Sequence, residues 1–194
     1  MKTTKFKIAA VLLLIMAIGF SFTSVTKITI KGSDTMVILS QQWAEIYMKK
    51  NPGTVIQVTG GGSGVGLAAL INGSTDIANS SRPIKPSELE KIKAKFGKNA
   101  IQIPCAKDGL SVFLNKGNKI SELTMEQIGA IFSGKITNWK QVGGDDAKIQ
   151  LYGRESSSGT FEYCKEHVVQ TDFAATRQSL PGTAAMINAV KKDK

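Results

Sequence analysis

Three times in this 194-residue chain a short strand-like run gives way to a glycine- and hydroxyl-rich turn and then to a segment with helical periodicity. Lys27 to Lys31 leads into Gly32-Ser33-Asp34-Thr35, and Thr54 to Val58 into Gly60-Gly61-Gly62-Ser63-Gly64. Ile149 to Tyr152 leads into Gly153-Arg154-Glu155-Ser156-Ser157-Ser158-Gly159-Thr160. Strands alternating with helices specify an α/β fold with a largely parallel sheet. A fourth segment, Asn79-Ser80-Ser81-Arg82, follows the strand-like run Thr75 to Asn79. In open parallel sheets a ligand sits beyond the carboxyl ends of the strands, where all four turns are expected.

The helices between these turns are marked by spacing and by stop signals. Met36, Leu39, Trp43, Ile46 and Tyr47 recur at three- and four-residue steps, and Asn51-Pro52-Gly53 ends that helix. Val65 to Ile71 predicts a short apolar helix closed by Asn72-Gly73, and Ser87 with Glu90 has the spacing of a capping box. Ile101 to Asn115 contains two strand-like runs around Ala106 to Gly109, a stretch suited to crossing between lobes. Thr124 and Gln127 form a second capping box, opening a helix over Met125 to Phe132. Helices are also expected from about Thr160 to Val169 and from Ala184 to Lys191. The division is residues 25–106 for a first lobe and 107–194 for a second.

Lys2, Lys5 and Lys7 precede an uncharged run, Ile8 to Phe20, that ends in small and hydroxylated residues. This is a secretory signal pattern over residues 1–24, the run being shorter than the roughly 20 residues of a membrane span. An uncleaved anchor is the alternative. The expected location is periplasmic or cell-surface. The net charge is +10, and loss of the leader would remove three of those charges. Its lysines are scattered without interleaved aromatics, which reads as solvated helix faces and excludes nucleic acid as the expected partner. Export would permit a disulfide between Cys105 and Cys164, the only cysteines. Two separate buried thiols are the simpler expectation, and the single His with no CxxC or HExxH spacing leaves no metal site expected.

Glycine makes up 19 residues, more than the usual share of about 7%. Where it flanks a helix start it lets backbone approach a ligand, and the free N–H groups there favour an anion. One such loop alone is ordinary helix capping; three of them with Arg154 could hold a dianion through a fork of charge-assisted bonds. Rival motifs fail on their own terms. Gly129 to Lys135 has P-loop spacing, but Ile136 replaces the required Ser or Thr and the segment follows a helix. Val65 breaks both a GxGxxG fingerprint from Gly60 and a GxSxG elbow around Ser63. His167 lies within a helical run and has no nucleophile to serve. A binding protein without cofactor fits better than an enzyme, a secreted phosphoester hydrolase being the reading from another class.

The strings ITIKGSDTM, VTGGGSGVG, DIANSSRPI, LTMEQIGAIFSGKITNWKQVGG and GRESSSGT resemble the PstS-type phosphate-binding subunits of phosphate ABC transporters. The resemblance implies a two-lobed periplasmic binding protein of type II-like architecture, with mostly parallel sheets flanked by helices. It also implies a monomer that closes on inorganic phosphate and delivers it to a membrane permease. Another oxyanion, or phosphate sensing, is the alternative use of such a scaffold. Carried over by position, the phosphate contacts are Ser33, Asp34, Thr35, Ser63, Ser81, Arg154, Ser158, Gly159 and Thr160. Well-known members place a carboxylate where this chain has Ser81, so Asp34 is expected to act as the acceptor for protonated phosphate, with Glu155 as the substitute. Such proteins continue well beyond the equivalent of Lys194, so the C-terminal part of the fold is expected to be missing.

Overall fold

The computed structural model describes residues 25–193; the leader segment and Lys194 lie outside the described residues. β1 (Thr26–Gly32) is the centre of a three-stranded sheet, with β2 (Thr54–Thr59) on one side and β3 (Ile77–Asn79) on the other, both parallel to it. Its register pairs Thr26 with Thr54 and Ile30 with both Val58 and Ile77, so the three strands end together. That shared end carries the first, second and fourth turns.

α1 (Val37–Lys50) and α2 (Ser63–Asn72) pack on this sheet, and α3 (Pro86–Phe96) packs on α2. The apolar stripe that announces α1 is not the face it buries. Ser40 and Ala44 are buried, whereas Trp43, Ile46 and Tyr47 are 44%, 52% and 49% exposed. Small side chains let the helix lie close, and Ser40 accepts a hydrogen bond from Asn79 Nδ2 at 2.7 Å inside β3. α2 ends as expected, with Gly73 in the left-handed region at φ 74° donating its N–H to Leu70 O. α3 starts at Pro86 rather than near Ser87, and its cap is not the Ser87–Glu90 box: Glu88 Oε2 accepts from Lys85 N at 2.8 Å. Proline at the first helical position presets φ, which moves the start one residue forward.

Residues 101–114 hold no strand. Ile101 and Ile103 are 89% and 77% exposed, and Cys105 is exposed, not buried in a strand. β-structure exists only through its pairing partner, and no described strand lies beside this run. Cys105 and Cys164 are both free thiols; burial pushes the Cys164 thiol up, with Arg177 pulling it partly back.

The second sheet has two parallel strands, β4 (Tyr152–Arg154) and β5 (Gln178–Leu180). β4 begins later than the run from Ile149 suggests, because Ile149 and Leu151 pack into a core with Ile131 rather than pairing in a sheet. α4 (Met125–Phe132) opens on the expected box, Thr124 Oγ1 accepting from Gln127 N at 3.2 Å and Gln127 Oε1 from Thr124 N at 2.9 Å. α5 (Gly159–Cys164) runs on as a wider π turn, Lys165–Val169. α6 (Gly182–Lys192) follows β5.

Candidate functional site

Each turn is held by backbone geometry before any side chain acts. Gly62, at φ 93°, sits at the start of α2 and donates its N–H to Gly32 O at 3.0 Å, tying the second turn to the first. Ser33 N donates to Asn79 O at 2.9 Å, tying the first to the turn after β3. Ser33 is 2% exposed, and its hydroxyl shares a 2.9 Å hydrogen bond with Thr35 Oγ1. One hydroxyl of that pair keeps a proton free to donate outward.

The second and fourth turns meet at a serine pair. Ser63 is fully buried, and its Oγ lies 3.2 Å from Ser81 Oγ and accepts from Ser81 N at 3.1 Å. Gly159 stands against the same pair, so close that a Cβ there would lie 2.8 Å from Ser63 Oγ. Only hydrogen at this position allows the third turn to reach the second and fourth. Ser158 caps α5, its Oγ accepting from Thr160 N at 3.2 Å and Phe161 N at 3.5 Å. Gly64 N donates to Ser157 O at 2.9 Å, and Ser157 Oγ donates to Gly61 O at 3.2 Å.

Arg154 closes the cluster. It is 4% exposed at the end of β4; Nη2 donates to Asp34 Oδ2 at 2.6 Å and to Glu155 Oε1 at 2.9 Å, and Nε donates to Glu155 Oε2 at 3.1 Å. Among the described residues no acceptor meets Nη1. Asp34 Oδ1 accepts from Gly61 N at 2.8 Å. Burial works against the Arg154 charge, but the hydrogen bonds and attraction of Glu155 and Asp34 outweigh it and raise the pKa. Burial likewise pushes the Glu155 carboxyl up, and the Arg154 hydrogen bonds with backbone donors overcome it and hold it below the usual carboxylate range. Glu88, half-buried against Arg82, is lowered with the same balance of causes.

A carboxyl depressed in the folded state lends stability that is complete above its unfolded pKa of 4.5 and disappears as pH falls through the lower folded value. Thermal melts of the protein are therefore expected to be flat from pH 7 to about 5 and to fall steeply below about 4. Glu88→Gln should flatten that acid limb; an identical limb in the variant would count against the assignment.

All nine residues singled out from the sequence lie in this one cluster. Two others were missed. Arg177 Nη1 donates to Arg154 O at 2.8 Å, while its guanidinium stacks 4.7 Å from the Phe173 ring centre and 5.2 Å from that of Phe161. Glu162 ion-pairs with Arg82 and Lys85. A lone Arg in a polar stretch and a Glu in a helix carry no sequence signal of either role. A cavity of about 750 Å³ adjoins this cluster, lined by Arg154, Thr160 and Arg177 together with apolar residues such as Ile131, Leu151, Phe161 and Val190. Among the described residues no group of His, Cys, Asp and Glu side chains is placed to hold a metal ion.

Residues 21–193 match the model of the PBP superfamily domain. Curated relatives include the phosphate-binding protein PstS of Pseudomonas aeruginosa, 36% identical over 83% of this chain and 54% of that protein. Protein SphX of Synechococcus elongatus is 34% identical over 83% of this chain and 51% of its own length. This chain thus spans about half the length of the curated relatives it matches. A structure described as a phosphate ABC transporter substrate-binding protein with bound phosphate, from Clostridium perfringens, superposes with a TM-score of 0.76 at 30% identity, over 85% of this chain and 66% of that one. An ABC-type phosphate transport receptor from Vibrio cholerae gives 0.61 at 32% identity, over 85% of this chain and 67% of that one.

Proposed function

Since this chain belongs to the PBP superfamily, we propose that it is a secreted solute-binding protein that captures inorganic phosphate between two lobes, residues 25–106 and 107–194, and delivers it to an ABC transporter permease. The observation that carries this is Arg154, a buried guanidinium that Asp34 ties to the first turn, in a cluster whose linked turns carry the hydroxyls of Ser33, Thr35, Ser63, Ser81 and Ser158. Hydroxyls and backbone N–H groups are neutral donors, so they distribute a dianion's charge without forming tight pairs that would slow release. Gly159 adds the first backbone donor of α5 and Thr160 its hydroxyl, the Thr160 N–H being taken by the Ser158 cap. The charged leader pattern supports export, although those residues lie outside the described structure. Ser158 and Ser63 already bond to backbone and serine partners, and among the described residues no general base bonds to either hydroxyl, so binding is favoured over turnover.

Asp34 supplies the selectivity in this reading. Each of its carboxylate oxygens accepts one protein donor, from Gly61 N and from Arg154, and retains a second lone pair. That lone pair accepts the proton of monohydrogen phosphate and repels sulfate, which has none to give. Calorimetry with phosphate, sulfate and molybdate tests the reading: the expected order has phosphate tightest, and Asp34→Asn should narrow the phosphate-to-sulfate ratio by about tenfold or more. An unchanged ratio would remove Asp34 from the role, and tighter sulfate or molybdate binding by the unaltered protein would assign the site to another oxyanion.

A further inference from the structure

Arg82 follows Ser81 directly, yet its charge is not turned to the anion loops. Its Nη1 and Nη2 grip Glu88 at 2.9 and 2.7 Å, and Nη1 also donates to Pro83 O at 2.9 Å. This leaves Nε facing Glu162 Oε2 at 2.7 Å, while Lys85 Nζ holds the other oxygen, Oε1, at 2.8 Å. The Arg82 side chain is 8% exposed and that of Glu162 27%. Arg82 and Lys85 belong to the segment after β3, whereas Glu162 lies on α5 of the other half, 77 residues from Lys85.

Capping of α3 accounts for the Arg82–Glu88 pair and for Lys85 N on Glu88, but it needs nothing from Glu162. The contact to Glu162 joins the two halves outside the anion loops. Nε does not direct its N–H along that contact, so the pair is held by charge more than by a fixed hydrogen bond. Two cations against two carboxylates make the cluster neutral, and Glu162 is thereby masked three residues from Gly159, where an unpaired carboxylate would repel an incoming anion.

We infer that Arg82, Lys85 and Glu162 form an ionic latch between the two halves that sets how long a bound anion stays. The effect on residence time rests on the phosphate reading above; the latch between the halves does not. Gly64 reports on it without any ligand. Near the start of α2 its N–H has no acceptor within the helix and bonds across the halves to Ser157 O, whereas Gly62 N bonds within the first half to Gly32 O.

Amide exchange of the ligand-free protein, followed residue by residue, therefore tests the latch. Glu162→Gln is expected to speed exchange at Gly64 about tenfold and leave Gly62 unchanged, and Lys85→Gln to speed it less, since that lysine is exposed. In the unaltered protein about 1 M salt should act in the same direction, the screening length having fallen to about 3 Å. With inorganic phosphate, Glu162→Gln should release the ion about tenfold faster while association stays within about twofold. Unchanged Gly64 exchange in Glu162→Gln overturns the latch whatever phosphate does. Faster Gly64 exchange in a protein that takes up no phosphate leaves the latch standing and overturns the phosphate reading instead.

Discussion

Arg154→Ala is expected to weaken phosphate binding by at least about a hundredfold, measured by calorimetry, because it removes the buried guanidinium that joins the first and third turns through Asp34 and Glu155. The loss exceeds the value of the missing hydrogen bonds. Asp34 and Glu155 would remain near the site without their shared partner, two carboxylates repelling each other and the arriving dianion. Breaking a buried pair by deleting one member typically costs about 3–5 kcal/mol, but the carboxylates here are partly exposed, with side-chain accessibilities of 23% and 26%. Water can reach them, so a destabilisation of about 1–3 kcal/mol is expected in the ligand-free protein. Arg154→Lys should fall between, since an ammonium restores the charge but cannot bridge Asp34, Glu155 and a ligand in one plane. Binding by Arg154→Ala within about threefold of the unaltered protein would refute the site.

The second large effect is structural. Gly66→Ala should lower the melting temperature by about 6–12 °C, corresponding to about 3 kcal/mol for a chain of this size. A Cβ at Gly66 would collide with Lys31 O and stand 2.5 Å from Gly32 Cα, backbone atoms of β1 that cannot rotate aside. α2 would have to lift off the sheet, carrying Ser63 away from Ser81. Gly64→Ala is the control in the same helix. Its nearest foreign atom would be 3.4 Å away, so the better helix propensity of alanine, worth about 1 kcal/mol, roughly offsets the mild crowding. Equal melting temperatures for the two variants would show that α2 does not rest on β1 as described.

Much of this site was legible because its signals are local. Thr124 with Gln127, and Gly73 after Asn72, act through bonds spanning only a few residues, and the structure places them as their spacing predicts. The strand-turn-helix repeats likewise placed Ser33, Ser63, Ser81 and Ser158 at strand ends, which a parallel register then brings side by side. Signals that compete were harder to rank. Ser87–Glu90 and Lys85–Glu88 are overlapping caps, and Pro86 together with the Arg82 fork on Glu88 selects the second.

Other features depend on partners distant in sequence. The alternation in 101–114 signals strand, but no described strand accepts its hydrogen bonds, so the run stays unpaired. β5 has the reverse history: Gln178–Leu180 lacks apolar alternation and becomes a strand because β4 lies beside it. α1 follows the same logic, its periodicity being written in Trp43, Ile46 and Tyr47 while the sheet takes the narrower face of Ser40 and Ala44.

By itself, then, the sequence determined the α/β alternation and the anion-favouring turns, with Arg82 and Arg154 among them, because capping, turn chemistry and strand polarity act over a few bonds. Only the tertiary structure decided that Arg154 is shared between Asp34 and Glu155, that Arg177 braces its backbone, and that Arg82 spends its charge on Glu88 and Glu162 rather than on an anion. Charge-to-charge pairing depends on distance in space, and a chain that brings residues 34 and 154, or 82 and 162, into contact does so only once its sheets are packed.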